Sequence, residues 1–227
     1  DDGSTDNSLE LITNMTLTKT YRIISQKNQG VSSARNNGLK FCTSDYVLFL
    51  DADDILREDA LVWFKRYINE GYKIIAGNRI NKQGQIYIDT NNDIEFNQQK
   101  YLDLLYNNIN LCWTSAVLLK KELLLTNKFN EKFSHGEDRD LFYRVLAGQK
   151  AIFTKSILAE YINDESGLSN KIISPSQDLF FELVKSLSEM GPFDIKNLVF
   201  LIKYRLKRFH VSLRNSQLKI AFRWLVE

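Results

Sequence analysis

The apolar run Tyr46-Val47-Leu48-Phe49-Leu50, opened by Ser44-Asp45 and closed by Asp51-Ala52-Asp53-Asp54, constrains this chain more than any other stretch. A continuous apolar run of that length reads as a buried strand of an α/β sheet. Carboxylates just past its C-terminal end fall where open α/β sheets bind their ligands. Three acids so close together repel one another, and a divalent cation with oxygen ligands relieves that repulsion. The competing explanation is that Asp53 or Asp54 caps a helix starting at about Glu58.

Composition narrows the chemistry. The chain has 227 residues, 44% hydrophobic and 26% charged, which is enough for one sizeable globular domain with an appendage. Cys42 and Cys112 show neither metal-ligand spacing nor a disulfide framework, so a reduced, cytoplasmic setting is expected. His135 and His210 are the only histidines, which argues against a His-built zinc site. No apolar run reaches the roughly 18 residues of a membrane span. From Lys196 to Glu227 eight basic residues face a single acid, so a basic tail follows a mildly acidic body.

Along the chain, strands and helices alternate. The loop Asp1-Asp2-Gly3-Ser4-Thr5-Asp6 leads to a helix around Leu9–Ile12, with Thr5 to Asn7 as caps. Strands are expected at Tyr21–Ser25, Tyr46–Leu50 and Lys73–Gly77, and a hairpin should join Arg79-Ile80 to Gln85–Ile88. Helices are expected over Val31–Phe41, over Glu58–Asn69 with Leu61, Phe64 and Ile68 inward, and over Glu137–Leu146. Two short strands, Ala151–Phe153 and Ile157–Ile162, should follow, with helix from Pro175 onward. The pattern is that of an α/β sheet with crossover connections.

Four motifs occur in one order: Asp1-Asp2-Gly3-Ser4-Thr5-Asp6, Asn28-Gln29-Gly30-Val31-Ser32-Ser33-Ala34-Arg35-Asn36, Asp51-Ala52-Asp53-Asp54 and Gly136-Glu137-Asp138. Phe129-Asn130-Glu131 precedes the last and Arg144 follows it. From Asp1 to Ile162 the chain resembles glycosyltransferase family 2, inverting enzymes with the GT-A fold. The resemblance implies a Rossmann-like nucleotide-sugar-binding sheet flanked by helices over residues 1–172 and a C-terminal helical extension over 173–227. It also implies a strand, helix and strand ahead of Asp1, a unit of about 30 residues, so an N-terminally truncated chain is expected.

What the resemblance implies for single residues can be matched to chemistry. Asp2 would accept a hydrogen bond from the donor's uracil-like base, although Asp-Gly-Ser-Thr is also an ordinary turn. Arg35, in the first turns of a helix, would lie near the donor diphosphate; the rival is a surface arginine. Asp51 would sit at the donor ribose or metal shell, and Asp53 would ligate Mg²⁺ or Mn²⁺ bridging the phosphates. Asp138 would be the general base that deprotonates the acceptor hydroxyl, with Glu137 pointing elsewhere. The rival for both acids is a favourable charge at a helix N-terminus. Trp113 would either shape an acceptor pocket or fill the core.

The Gln-x-x-Arg-Trp motif of processive relatives is absent, which favours a single transfer per encounter. No histidine follows the base in Glu160-Tyr161-Ile162-Asn163-Asp164, where some relatives supply one to the metal. Leu198, Ile202, Leu206, Phe209 and Leu213 form a helical stripe beside Lys196, Lys203, Lys207 and Arg214. Such a basic amphipathic helix either lies on an anionic membrane surface, at the inner face of the membrane, or packs on the catalytic domain. Nucleic acid is not an expected partner. The reading is transfer of a sugar from a nucleotide diphosphate sugar, of UDP type, to a glycan or lipid-linked glycan in surface polysaccharide synthesis. A sugar nucleotidyltransferase and a non-catalytic binding domain are the alternatives.

Overall fold

The central strand of the protein is β3, Ile74–Asn81, and its first six residues are buried on both faces. In the computed structural model, residues 1–15, 20–107, 109–133 and 136–162 are described, with the isolated positions 202 and 206. The other strands are β1 (Tyr46–Leu48), β2 (Ile55–Leu56), β4 (Ile94–Phe96), β5 (Val117–Lys120) and β6 (Ala151–Tyr161). The sheet runs β1-β5-β3-β6-β2, with β4 also on β6. The β3–β6 pair is parallel; β1–β5, β5–β3, β6–β2 and β6–β4 are antiparallel.

Alternation along β3 divides the core. Ile74 and Ala76 pack with Leu39, Phe129, Leu141 and Phe153 on one face, while Ile75 packs with Phe64, Tyr67 and Leu158 on the other. Helices α1 (Ser8–Asn14), α2 (Val31–Leu39), α3 (Ala60–Asn69), α4 (Gln98–Tyr106), α5 (Lys121–Thr126) and α6 (Glu137–Val145) complete the described elements. Gly77 lies where β6 comes closest: a Cβ there would meet Leu158 Cγ and Cδ1 at 2.2 Å. The strand register shifts just beyond it, between Gly77 and Asn78.

The expected α/β architecture holds, with local corrections. Tyr21–Ser25 forms no strand: its neighbour is Asp1, whose amino group donates to Ile24 O at 2.8 Å and whose carbonyl accepts from Gln26 N. The two expected strands after Ala151 are one strand, β6. Its polar middle, Thr154-Lys155, is held by Asp93, which accepts from Thr154 Oγ1 and Lys155 N. In α3 Phe64 is buried and Ile68 packs against the core as expected, but Leu61 is exposed, and Ala60 and Tyr67 complete the inward face, with the Tyr67 hydroxyl donating to Asp93. The hairpin reduces to an Ile80–Ile86 bridge, with Asn81 N bonded to Gln85 O and Tyr87 N to Arg79 O. Asn78 grips its return through both backbone groups of Ile88.

Both cysteines are free. Among the described residues no helix is long and apolar enough to cross a membrane. The boundary at 172/173, His135, Asn163, Asp164 and the basic tail lie outside the described residues, apart from Ile202 and Leu206, which are helical and exposed.

Candidate active site

Helix α2 organises the site. Asp2 Oδ1 accepts from Gln26 Nε2 and Gln29 N, and Oδ2 accepts from Gly30 N, which ties the opening loop to the start of α2. Burial would raise the Asp2 pKa, but these hydrogen bonds outweigh it and hold the carboxyl below its ordinary value. One turn into α2, Arg35 Nη2 donates to Asp51 Oδ1 at 2.5 Å and Nη1 donates to Glu137 Oε1 at 2.9 Å. Its guanidinium lies 5.1 Å from the centre of the Phe129 ring.

Arg35 therefore joins the turn after β1 to the first turn of α6. Its side chain is 12% exposed, that of Asp51 32% and that of Glu137 13%. Burial works against the Arg35 charge, yet Asp51 and Glu137 outweigh it and raise its pKa. The Asp51 carboxyl is pushed up by burial and by Asp54 and Asp53, with Arg35 opposing. Glu137 is likewise pushed up by burial and by Asp138, again against Arg35. A fixed cation between partly buried acids limits the cost of crowding them.

The neighbouring Asn36 makes the second tie. Its amide donates to Phe129 O and Glu131 Oε1 and accepts from Phe129 N, so the segment before α6 is fixed to α2. Gly136 enters α6 with φ of 72°, a left-handed conformation that favours glycine just ahead of Glu137 and Asp138. Asp138 Oδ1 accepts from Arg139 N at 2.8 Å, and the residue is half-buried. Arg144 closes the far end of α6, binding Asp140 Oδ2 and Lys128 O.

The structure thus brings Arg35, Asp51 and the Glu137-Asp138 pair together and sets Asp2 at the start of the same helix. Asp53 is exposed on the turn closed by the Asp54 N to Asp51 O bond. Asp54 is buried and does not cap α3, which is preceded by Asp59; its Oδ2 accepts from Trp113 Nε1 at 3.3 Å. Ser115 Oγ accepts from Asp51 N, and Ser115 is completely buried in the turn Thr114–Ala116. Sequence reasoning gave no role to Ser115 or Asn36, because their partners Asp51 and Phe129 lie 64 and 93 positions away. Among the described residues no group of three or more His, Cys, Asp or Glu side chains could hold a metal ion.

The fold is a mixed α/β sheet, one parallel pair among antiparallel ones, with acids gathered beyond β1 and at the start of α6. The model of the family "Glycosyl transferase family 2" matches residues 1–126, and the chain belongs to that family. It is 25% identical over 197 residues to a chondroitin synthase of Escherichia coli, covering 84% of this chain and 28% of that protein. A Campylobacter jejuni GalNAc(5)-diNAcBac-PP-undecaprenol beta-1,3-glucosyltransferase is 29% identical over 146 residues, covering 60% of this chain and 46% of that protein. The crystal structure of residues 1-349 of S. aureus TarS in complex with UDP-GlcNAc superposes with a TM-score of 0.71 at 17% identity, over 93% of this chain and 62% of that one. The GT-A fold expected from the motifs is the fold observed.

Proposed function

We propose that this chain carries the catalytic part of an inverting transferase. It moves a sugar from a nucleotide diphosphate sugar, of UDP type, to a glycan or lipid-linked glycan acceptor in surface polysaccharide synthesis. The observation that carries this reading is the Arg35 bridge, which holds the Asp51 turn against the helix that begins with Glu137 and Asp138. Donor-side and acceptor-side carboxylates then share one site, as direct displacement at an anomeric carbon demands. The names of the relatives, two polymer or lipid-linked glycan enzymes and a UDP-GlcNAc complex, support the acceptor and donor classes.

Asp138 is the base: its carboxylate takes the proton of the acceptor hydroxyl as that oxygen attacks opposite the leaving diphosphate. Asp2 holds the loop that receives the nucleobase and accepts from a ring N–H with its remaining lone pairs. Arg35 orients Asp51 at the ribose side, and its charge lies toward the diphosphate. The exposed Asp53 fits Mg²⁺ or Mn²⁺, ions commonly held by one or two protein carboxylates with substrate phosphates completing the shell. When bound, such an ion offsets the charge that grows on the leaving diphosphate. Residues 1–172 form the transferase domain and 173–227 an extension whose basic residues contact an anionic membrane surface from the cytoplasmic side.

Nucleoside diphosphate release by the natural full-length protein tests this, using UDP- and GDP-sugars with Mn²⁺ or with EDTA. Release from one donor, abolished by EDTA, by Asp53→Ala and by Asp138→Asn, is the expected result. Wild-type protein that neither turns over nor binds any sugar nucleotide would refute the reading.

A further inference from the structure

Beside the Asp51–Arg35–Glu137 bridge lies a second polar group that the proposed chemistry does not use. Arg79, on β3, and Asp54 are each 8% exposed. Arg79 Nε and Asp54 Oδ1 are both buried without a hydrogen-bond partner. The two side chains meet at one ring: Trp113 Nε1 donates to Asp54 Oδ2 at 3.3 Å, and the Arg79 guanidinium lies 3.9 Å from the Trp113 centroid. Tyr87 covers the guanidinium, also at 3.9 Å, and Tyr161 packs edge-on against both rings.

Burial pushes the Arg79 guanidinium down to about 10, against the pull of Tyr87, Asp138 and Asp54. Asp54 lies on the same turn as Asp51 and Asp53, closed by the Asp54 N to Asp51 O bond, so the pair adjoins the proposed donor side of the site. The ligand follows from what is unmet. Arg79 Nε–H can only donate and a carboxyl oxygen of Asp54 can accept, and a hydroxyl does both at once. An anionic group would answer Arg79 but would meet the field of Asp51, Asp53, Asp54 and Asp138. Aromatic walls with a few placed polar atoms are also the usual lining of a small-molecule site.

We propose that Arg79 and Asp54 read one hydroxyl of a hexose at the reaction centre, Arg79 Nε donating to its oxygen and Asp54 Oδ1 accepting its proton. This rests on the transferase reading above. Trp113 sets the position of both groups, and Tyr87, 44% exposed on the hairpin, moves off the guanidinium as the sugar enters. The hexose is either the one transferred or the one that accepts, and the chemistry at the pair is the same.

The test is titration calorimetry of the natural full-length protein with Mn²⁺ and UDP, UDP-glucose, UDP-galactose or UDP-GlcNAc, in wild type, Arg79→Lys and Trp113→Phe. Arg79→Lys keeps the charge and removes the Nε–H; Trp113→Phe keeps a ring against Arg79 and frees Asp54. UDP affinity reports a folded nucleotide site in each variant. Unchanged UDP affinity with sugar-nucleotide affinity weakened by about tenfold to a hundredfold assigns the hydroxyl to the donor. Unchanged donor affinity with KM raised by that factor for octyl β-glycosides of glucose, galactose and their N-acetylamines assigns it to the acceptor. If both variants bind UDP and every sugar probe as wild type does, the inference is overturned alone. A wild-type protein that binds neither UDP, GDP nor any of their sugars would overturn it together with the transferase reading.

Discussion

Replacing Arg35 with alanine removes one cation from two acids that stay where they are. Asp51 and Glu137 lose hydrogen bonds of 2.5 and 2.9 Å, and Phe129 loses the guanidinium on its ring. Deleting one partner of a buried ion pair costs about 3–5 kcal/mol, and the one-third exposure of Asp51 lowers that to about 2–4 kcal/mol here. For a chain of this size, that lowers Tm by roughly 5–15 °C. Arg35→Lys keeps a charge but not the fork that spans both acids, and should lose about half as much. The assay is thermal unfolding by circular dichroism at pH 8 and pH 5. Glu137 already has its carboxyl pushed up by burial and by Asp138. Without Arg35 it rises further, so the penalty is absent below the unfolded value near pH 4 and grows as pH rises through the raised one. The gap between wild type and variant should therefore be wider at pH 8 than at pH 5. A gap under about 2 °C, or one equal at both pH values, would refute the claim that Arg35 holds these acids together.

Gly77→Ala places a methyl 2.2 Å from Leu158 Cγ and Cδ1 and should cost about 1–3 kcal/mol in urea unfolding, with a smaller cost when Leu158 is alanine as well. Asp93→Asn weakens the hold on Tyr67, Thr154 and Lys155. The loss should be about 1 kcal/mol at neutral pH, kept low because Asp93 is exposed. Burial raises the Asp93 pKa, but its hydrogen bonds to Tyr67, Lys155 and Thr154 outweigh that and depress it. Its contribution is thus present above the ordinary carboxylate value, and the gap between wild type and variant should close only as pH falls through the depressed one; urea midpoints from pH 7 to pH 3 check this.

The elements that could be read from the sequence are those decided by their own side chains. The apolar run of β3 becomes a buried strand at nearly the expected residues, and α2 and α6 start where expected; the run Tyr46–Leu50, expected as a buried strand, keeps only Tyr46–Leu48 as β1 at the end of the sheet order, with Val47 alone buried and Leu50 exposed. Tyr21–Ser25 has strand composition, but a strand exists only with a neighbour along its length, and no local pattern supplies one. Thr154-Lys155 looks like an interruption of β6 until Asp93, 61 residues away, takes up its polar groups. The site shows the same division. Its acids are conspicuous as motifs, and the helical offset of Glu137 from Asp138 could be anticipated. That Glu137 points to Arg35, or that Asn36 grips Phe129, depends on chain crossings that periodicity does not encode.

Those crossings also set when the site comes into being. Arg35 and Glu137 are 102 positions apart, and Asn36 and Phe129 are 93 apart. Contacts that close such long loops must overcome a large chain entropy before they gain anything, so they belong to the late stages of folding. A chain still emerging from the ribosome, or one that has collapsed without finishing, already carries its acidic turn but does not yet have Glu137 and Asp138 beside it. The complete cluster therefore exists only in the finished fold.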